Sequence, residues 1–177
     1  MDFYIGQLFT GTYPPEAASW CNTHNAYIQE ISTGYQIIAI PGPTPKETRI
    51  KKLMELSQKH HEAEETGVIQ SSLGFPVDAN ERANRDVSGL ISQMEMTGIT
   101  TTQFCDANND FQEVTLDNLK TMQLELIQYA QSLYATKWQL RAAIEAAKTV
   151  DELNAINIEF VADFTPTPIT LADNASH

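Results

Sequence analysis

The sequence predicts an α+β fold. It reads as a small N-terminal module of one helix and a β-hairpin, a charged linker helix, and a C-terminal module of β-hairpins packed with a long α-helix. Three observations lead there. Branched and aromatic residues flank Thr33-Gly34 as two short runs, the pattern of a hairpin around a glycine turn. Apolar residues recur at helical spacing from Leu116 to Ile144, far longer than any strand. A strongly charged stretch lies between Pro41-Gly42-Pro43 and Thr66-Gly67, both of which interrupt regular structure.

The elements follow in order. Residues 1–43 form the first module and contain no Lys or Arg. Met1 to Phe9 alternates weakly and suits a short strand. Pro15 suits the first turn of a helix, where its missing N–H costs nothing, and that helix runs to Asn22-Thr23-His24-Asn25. The hairpin follows and ends at Pro41. Residues 44–67 are the linker helix. Thr44 is the expected N-cap, with Pro45 at the next position and Glu47 completing a capping box. Its apolar stripe (Ile50, Leu53, Met54, Leu56) is narrow, its first half is basic and its second half acidic. That order opposes the helix macrodipole, so a solvated linker or a short coiled-coil seam is expected.

Residues 68–157 form the C-terminal domain. Val68–Ser71 and Gly74–Val77 suit paired strands, and Asp78 with Glu81 suggests a capping box for a helix that Gly98 closes. Ile99–Cys105 and Phe111–Val114 suit a second hairpin around Asp106-Ala107-Asn108-Asn109-Asp110. Thr115 then caps the long helix, expected to reach about Lys148, and Thr149 with Glu152 caps a short last helix to about Asn157. Residues 158–177 hold two Thr-Pro pairs and no basic residue, and are expected to be an extended or disordered tail.

Composition narrows the function. The chain has 177 residues with 11 Lys plus Arg against 23 Asp plus Glu, a formal charge of −12. Acidity of this degree repels nucleic-acid backbones and anionic membranes, so neither is an expected partner. No apolar run approaches the ~20 residues needed to span a bilayer, and no signal peptide is expected from the first residues. Cys21 and Cys105 make no disulfide framework and read as reduced, half-buried thiols of a protein made in the cytoplasm.

Candidate chemistry is sparse. Asp106, Asn108 and Asp110 with Asp117 outline a calcium loop, but Phe111 and Glu113 stand where Gly and an apolar residue belong. A turn whose Asn and Asp side chains bond their own backbone fits better. Cys21-x-x-His24 lacks the second pair a zinc site needs, and His60 and His61 with Glu64 and Glu65 read as a solvated acidic face. No nucleophile motif, phosphate loop or dinucleotide fingerprint is present, so neither a catalytic residue nor a cofactor is expected. Trp138, late on the long helix, reads as a packing aromatic or as an anchor against a partner chain.

The run Gly74-Phe75-Pro76-Val77-Asp78-Ala79-Asn80 carries a resemblance together with the Asp106–Asp110 hairpin, Leu119, Tyr134, Lys137-Trp138, Ile144-Glu145-Ala146-Ala147 and Thr149-Val150-Asp151-Glu152-Leu153. It resembles an uncharacterised domain of tailed-phage and prophage proteins encoded beside or within tail-fibre genes. Gly11-Thr12-Tyr13-Pro14-Pro15-Glu16-Ala17-Ala18 to Trp20-Cys21-Asn22 is similar to the start of small prophage tail-region proteins. The resemblance implies a non-enzymatic structural or accessory protein of a phage tail, associated with the virion through a tail-fibre or baseplate protein. A fibre-assembly chaperone is the alternative, and an acidic inhibitor of a host defence enzyme the second. A homo-oligomer is expected, a trimer being one form. Leu119, Leu126, Leu133, Tyr134 and Trp138 are the candidate partner or oligomer interface. In a fibre the leucine stripe would face two sister helices; in a monomer it would pack on the helix after Asp78 and on the hairpins.

Overall fold

The computed structural model describes residues 2–160 and 164–167. The chain is α+β and divides into two compact units, Met1–Thr44 and Pro45–His177. In the first unit β1 (Leu8–Phe9) is followed by α1 (Pro15–Thr23), β2 (Ala26–Ile31) and β3 (Gly34–Ala39). The sheet order is β1-β3-β2, antiparallel throughout, with Ile28 opposite Ile37. The expected strand from Met1 shrinks to two residues, Leu8 and Phe9, which pair in regular register with β3. Gly6 and Gln7 still bond the Ile37 backbone, but Gly6 is in the left-handed region at φ 93° and breaks the extended run. Cys21, Ala26 and Ile37 make the buried core, and Phe3, Phe9 and Trp20 close around it.

The second unit begins with α2 (Pro45–Thr66) and continues through β4 (Val68–Gln70), β5 (Pro76–Asp78) and α3 (Glu81–Thr97). The hairpin of β6 (Thr101–Cys105) and β7 (Phe111–Thr115) leads into α4 (Leu116–Ala146), and α5 (Val150–Ala155) follows. The expected capping of α3 by Asp78 is corrected. Asp78 pairs with Val68 in the ladder, and Asn80 is the N-cap, accepting from the Ala83 N–H at 2.9 Å. Gly98, in the left-handed region at φ 73°, ends α3 with its N–H on the Met94 carbonyl. Thr115 and Asn118 form a reciprocal capping box at the start of α4, and Thr149 with Glu152 does the same for α5.

Packing is organised around α4. One face of it carries Leu119, Met122, Leu126, Tyr129 and Leu133 into a core shared with Ile69, Val77, Val87, Ile91, Met94 and Val114. Each such side chain contributes roughly 1.5–3 kcal/mol on leaving water. A second cluster gathers Leu56 of α2, Ile144 and Ala147 at the end of α4, Leu153 of α5, and Ile158.

The charged linker expected at residues 44–67 is therefore corrected. Helix α2 lies within the second unit, against α4 and α5, with Leu56 and His60 buried. Its narrow stripe suffices because its cations do the rest. Arg49 donates from Nε to the Ile144 carbonyl at 3.3 Å and from Nη2 to the Ala147 carbonyl at 2.6 Å. Lys52 Nζ donates to the Ile156 carbonyl at 3.0 Å, and Lys59 Nζ to the Ile158 carbonyl at 2.6 Å. The last carbonyls of a helix have no partner within it and carry the negative end of its dipole. Since α4 has no basic residue in its own last turn, α2 supplies the positive charge from across the fold.

Two close fits fix the other side of α4. Glu125 is buried, yet it sits on the same helix face as Met122 and Tyr129. Its carboxylate accepts from Ser71 Oγ at 2.7 Å and from the Ser72 N–H at 3.0 Å, so it binds the β4–β5 turn directly. Gly67, after the end of α2, lies so close to Tyr129 that a Cβ there would be 2.5 Å from the phenol oxygen. That oxygen donates to the Ala63 carbonyl at 3.1 Å, and burial pushes the phenol's pKa up. Part of the expected tail, without helix or strand, packs along α4: Phe164 meets Tyr129 edge-on at 5.5 Å, Pro166 is buried, and the Thr167 N–H donates to Gln128. The remainder of the expected tail, residues 161–163 and 168–177, lies outside the described residues.

Replacing Arg49 tests the cation–carbonyl contact. Arg49→Ala should lower the unfolding free energy by about 2 kcal/mol in urea denaturation, the scale of two lost charge-assisted bonds. Arg49→Lys, which keeps the charge without the fork, should fall between the two.

Candidate functional site

The five residues expected at an interface separate into two groups. Leu119, Leu126 and Leu133 are buried in the core of this chain, against α3 and the hairpins. Their placement at an oligomeric seam is therefore corrected: these side chains are 0–3% exposed because α3 and the hairpins of the same chain cover most of the stripe. Tyr134 and Trp138 remain outside, 48% and 59% exposed. Heptad-like spacing identified the apolar face of α4 but not what covers it.

Tyr134, Trp138 and Arg141 stand at i, i+4 and i+7, hence on one side of α4. The Arg141 guanidinium lies 5.7 Å from the Trp138 ring centre and pairs with Glu145 at 2.9 Å. Lys137 Nζ lies 5.7 Å from the Tyr134 ring centre. Ile127, two turns before Tyr134, is also exposed and extends the row. The aromatic rings are thus held by neighbouring cations and by the helix, with their outer faces in water.

His60 supports Tyr134 from below. It sits at i+4 from Leu56 and i+7 from Leu53, on the packed face of α2, so its expected position on a solvated acidic face is corrected. Its ring is 5.1 Å from Tyr134 and 5.5 Å, edge-on, from Phe160. Nδ1 faces Glu64 at 3.1 Å and Lys137 Nζ at 3.3 Å, while the buried Nε2 has no partner among the described residues. Burial holds its pKa below the ordinary histidine range; Glu64 pulls the other way, and Lys137 adds to the lowering.

The remaining candidates resolve into local structure. Asp106 Oδ1 accepts from the Asn108 and Asp110 N–H groups, both at 2.9 Å, and Oδ2 from Gln112 at 2.9 Å. Its carboxylate thus organises the β6–β7 turn. Burial raises its pKa, but the bonds from Gln112, Asp110 and Asn108 outweigh that and leave it lowered. Cys21 is buried and free, and His24 stacks on Trp20 at 4.1 Å; Cys105 is free and exposed rather than half-buried. Among the described residues no group of three His, Cys, Asp or Glu is placed to hold a metal ion. Among the same residues no helix is long and apolar enough to cross a membrane.

Sequence reasoning did not anticipate Glu125 or the burial of His60. Both carried a signal: each is a polar residue in register with the apolar stripe of its helix, at i+3 from Met122 and i+4 from Leu56 respectively.

Residues 47–162 match the Domain of unknown function family DUF4376. The match spans well over half of the chain, which therefore belongs to that family. It begins inside α2 and runs through α5, so the family's unit takes in the helix that packs on α4. No curated protein and no solved structure matches the chain.

The environment of His60 gives a pH prediction. A folded-state pKa below that of the unfolded chain means that the unfolded chain takes up a proton first as pH falls. Stability should therefore decline as pH drops through about 6.5, the unfolded value, until the lowered folded-state pKa is passed. His60→Gln should flatten that decline in denaturant titrations at pH 7.5 and 5.5, measured against the parent protein; equal slopes would contradict it.

Proposed function

We propose that this protein is a non-enzymatic accessory component of a tailed-phage or prophage tail, held at the fibre or baseplate by protein–protein contacts. The observation that carries the contact role is the row of Tyr134, Trp138 and Arg141 on the outer side of α4. Tyr, Trp and Arg are the residue types that dominate binding energy at protein interfaces, where rigid rings exclude water and the guanidinium bonds the partner. Here they are adjacent, exposed and already ordered, so little conformational entropy is lost on docking. Support for the tail as the setting comes from the sequence resemblance over residues 1–157. The acidic surface keeps such a component soluble until it docks.

Particles induced from a lysogen that encodes the chain provide the test. The parent protein should be found in purified particles by mass spectrometry. The pair Tyr134→Ala and Trp138→Ala should remove it while the variant still unfolds cooperatively, since about half of each ring is in water and neither belongs to the buried core. Absence of the parent protein from the particles would contradict the reading.

A further inference from the structure

A groove of about 440 Å³ opens between α2, α3 and α4. Leu126, Ala130 and Leu133 line it from α4, and Tyr134 forms one wall. The small side chain of Ala130 leaves the depression between two buried leucines. Three carboxylates border it from two helices: Glu64 and Glu65 of α2, and Glu81 of α3.

Electrostatics at this groove contrast with those at the end of α4. Both helices lack a basic residue in their last turn. At α4 the deficit is met by Arg49, and Lys52 and Lys59 bond the Ile156 and Ile158 carbonyls further along the chain. At α2 it is deepened, because Glu62, Glu64 and Glu65 add negative charge at the negative end of the dipole. Among the described residues no Lys or Arg pairs with Glu65 or Glu81. Hydrogen bonds from Thr66 and Asn80 reach the Glu62 and Glu65 carbonyls, but bring no positive charge. A concave, partly apolar wall focuses such a field instead of letting water dissipate it.

We infer that this groove docks a basic amphipathic helical segment of a partner protein, its apolar residues over Ala130 and its Lys or Arg side chains against Glu64, Glu65 and Glu81. The inference rests on the reading that the chain works through protein contacts, and it names the chemistry of one partner. Tyr134 belongs both to the groove and to the exposed row, so a segment seated in the groove would run on towards Trp138. A helix fits such a site by placing apolar residues at i, i+4 and i+7, with cations on either side. Complementary charge fixes its orientation and speeds its approach.

The test uses the full chain and a fluorescent Leu/Lys amphipathic peptide of about four helical turns as probe. Anisotropy should show saturable binding that weakens between low salt and ~0.15 M, as surface charge pairs are screened. Ala130→Phe, which fills the groove, should weaken binding at least about tenfold, with thermal unfolding as the check on folding. The pair Glu65→Gln and Glu81→Gln, at exposed positions that do not depend on the core, should weaken binding and flatten its salt dependence. A Leu/Glu peptide of the same length should not bind. Lack of saturable binding would overturn the inference. So would equal binding by the parent, the filled-groove variant and the charge-neutralised variant, which would mark general attraction to an acidic protein. Binding of the Leu/Glu peptide would also overturn it. Peptide docking without incorporation into particles would sink the tail reading and leave this one standing; incorporation without peptide docking would do the reverse.

Discussion

The second unit depends on one arrangement: cationic side chains of α2 reaching the backbone carbonyls at and beyond the end of α4. A helix of 31 residues, about 46 Å long at ~1.5 Å per residue, ends with carbonyls that its own turns cannot satisfy. Without outside donors its last turn would fray, and the apolar residues there would have nothing to pack on. Arg49, Lys52 and Lys59 meet Ile144, Ala147, Ile156 and Ile158 in sequence, so the chain leaving α4 is held along its path. The cluster of Leu56, Ile144, Leu153 and Ile158 forms beneath those bonds. Polar and apolar contacts thus support each other: the part-buried bonds fix the backbone, and the cluster packs beside them.

The same helix is held from another side by a buried carboxylate. Glu125 turned towards Ser71 and Ser72 binds the middle of α4 to the β4–β5 turn. A buried charge is costly unless it is hydrogen-bonded, so this position admits few arrangements of the turn. Tyr129, its hydroxyl on the Ala63 carbonyl, fixes the end of α2 against α4 one turn later. With its inner faces committed in this way, α4 leaves the side of Tyr134, Trp138 and Arg141 exposed, beside the groove at Ala130. The exposed aromatics on that side are held by the helix, by neighbouring cations and by His60, which is what the proposed docking role requires of them.

Much of the fold could be read from local sequence. The hairpin glycine, the Thr115 and Thr149 caps and the apolar recurrence of α4 act over a few residues, and each led to an element within a few residues of its true bounds. What could not be read depends on contacts distant in sequence. Arg49 lies 95 residues before Ile144, and Lys52 lies 104 before Ile156, so a helix that looks solvated in isolation is in fact a structural member of the unit. Asp78 and Asn80 are both competent caps; pairing of Asp78 with Val68 decides between them, and that pairing is tertiary. Of the candidate interface, Tyr134 and Trp138 are exposed, which the sequence left open between packing aromatic and partner anchor. What covers Leu119, Leu126 and Leu133 was not legible, because periodicity describes a face without naming the element that covers it. The family match, beginning at residue 47, agrees with the tertiary division rather than with the composition shift at Gly67.

Native-state hydrogen exchange of the α2 amides tests this account most directly. If α2 is a member of the unit held through Arg49, Lys52 and Lys59, its central amides around Leu56 should exchange with the opening free energy of the α4 core amides around Met122 and Leu126. Both sets should then respond together to denaturant. Fast exchange of the α2 amides, at rates near those of an isolated helix and independent of the α4 core, would contradict it.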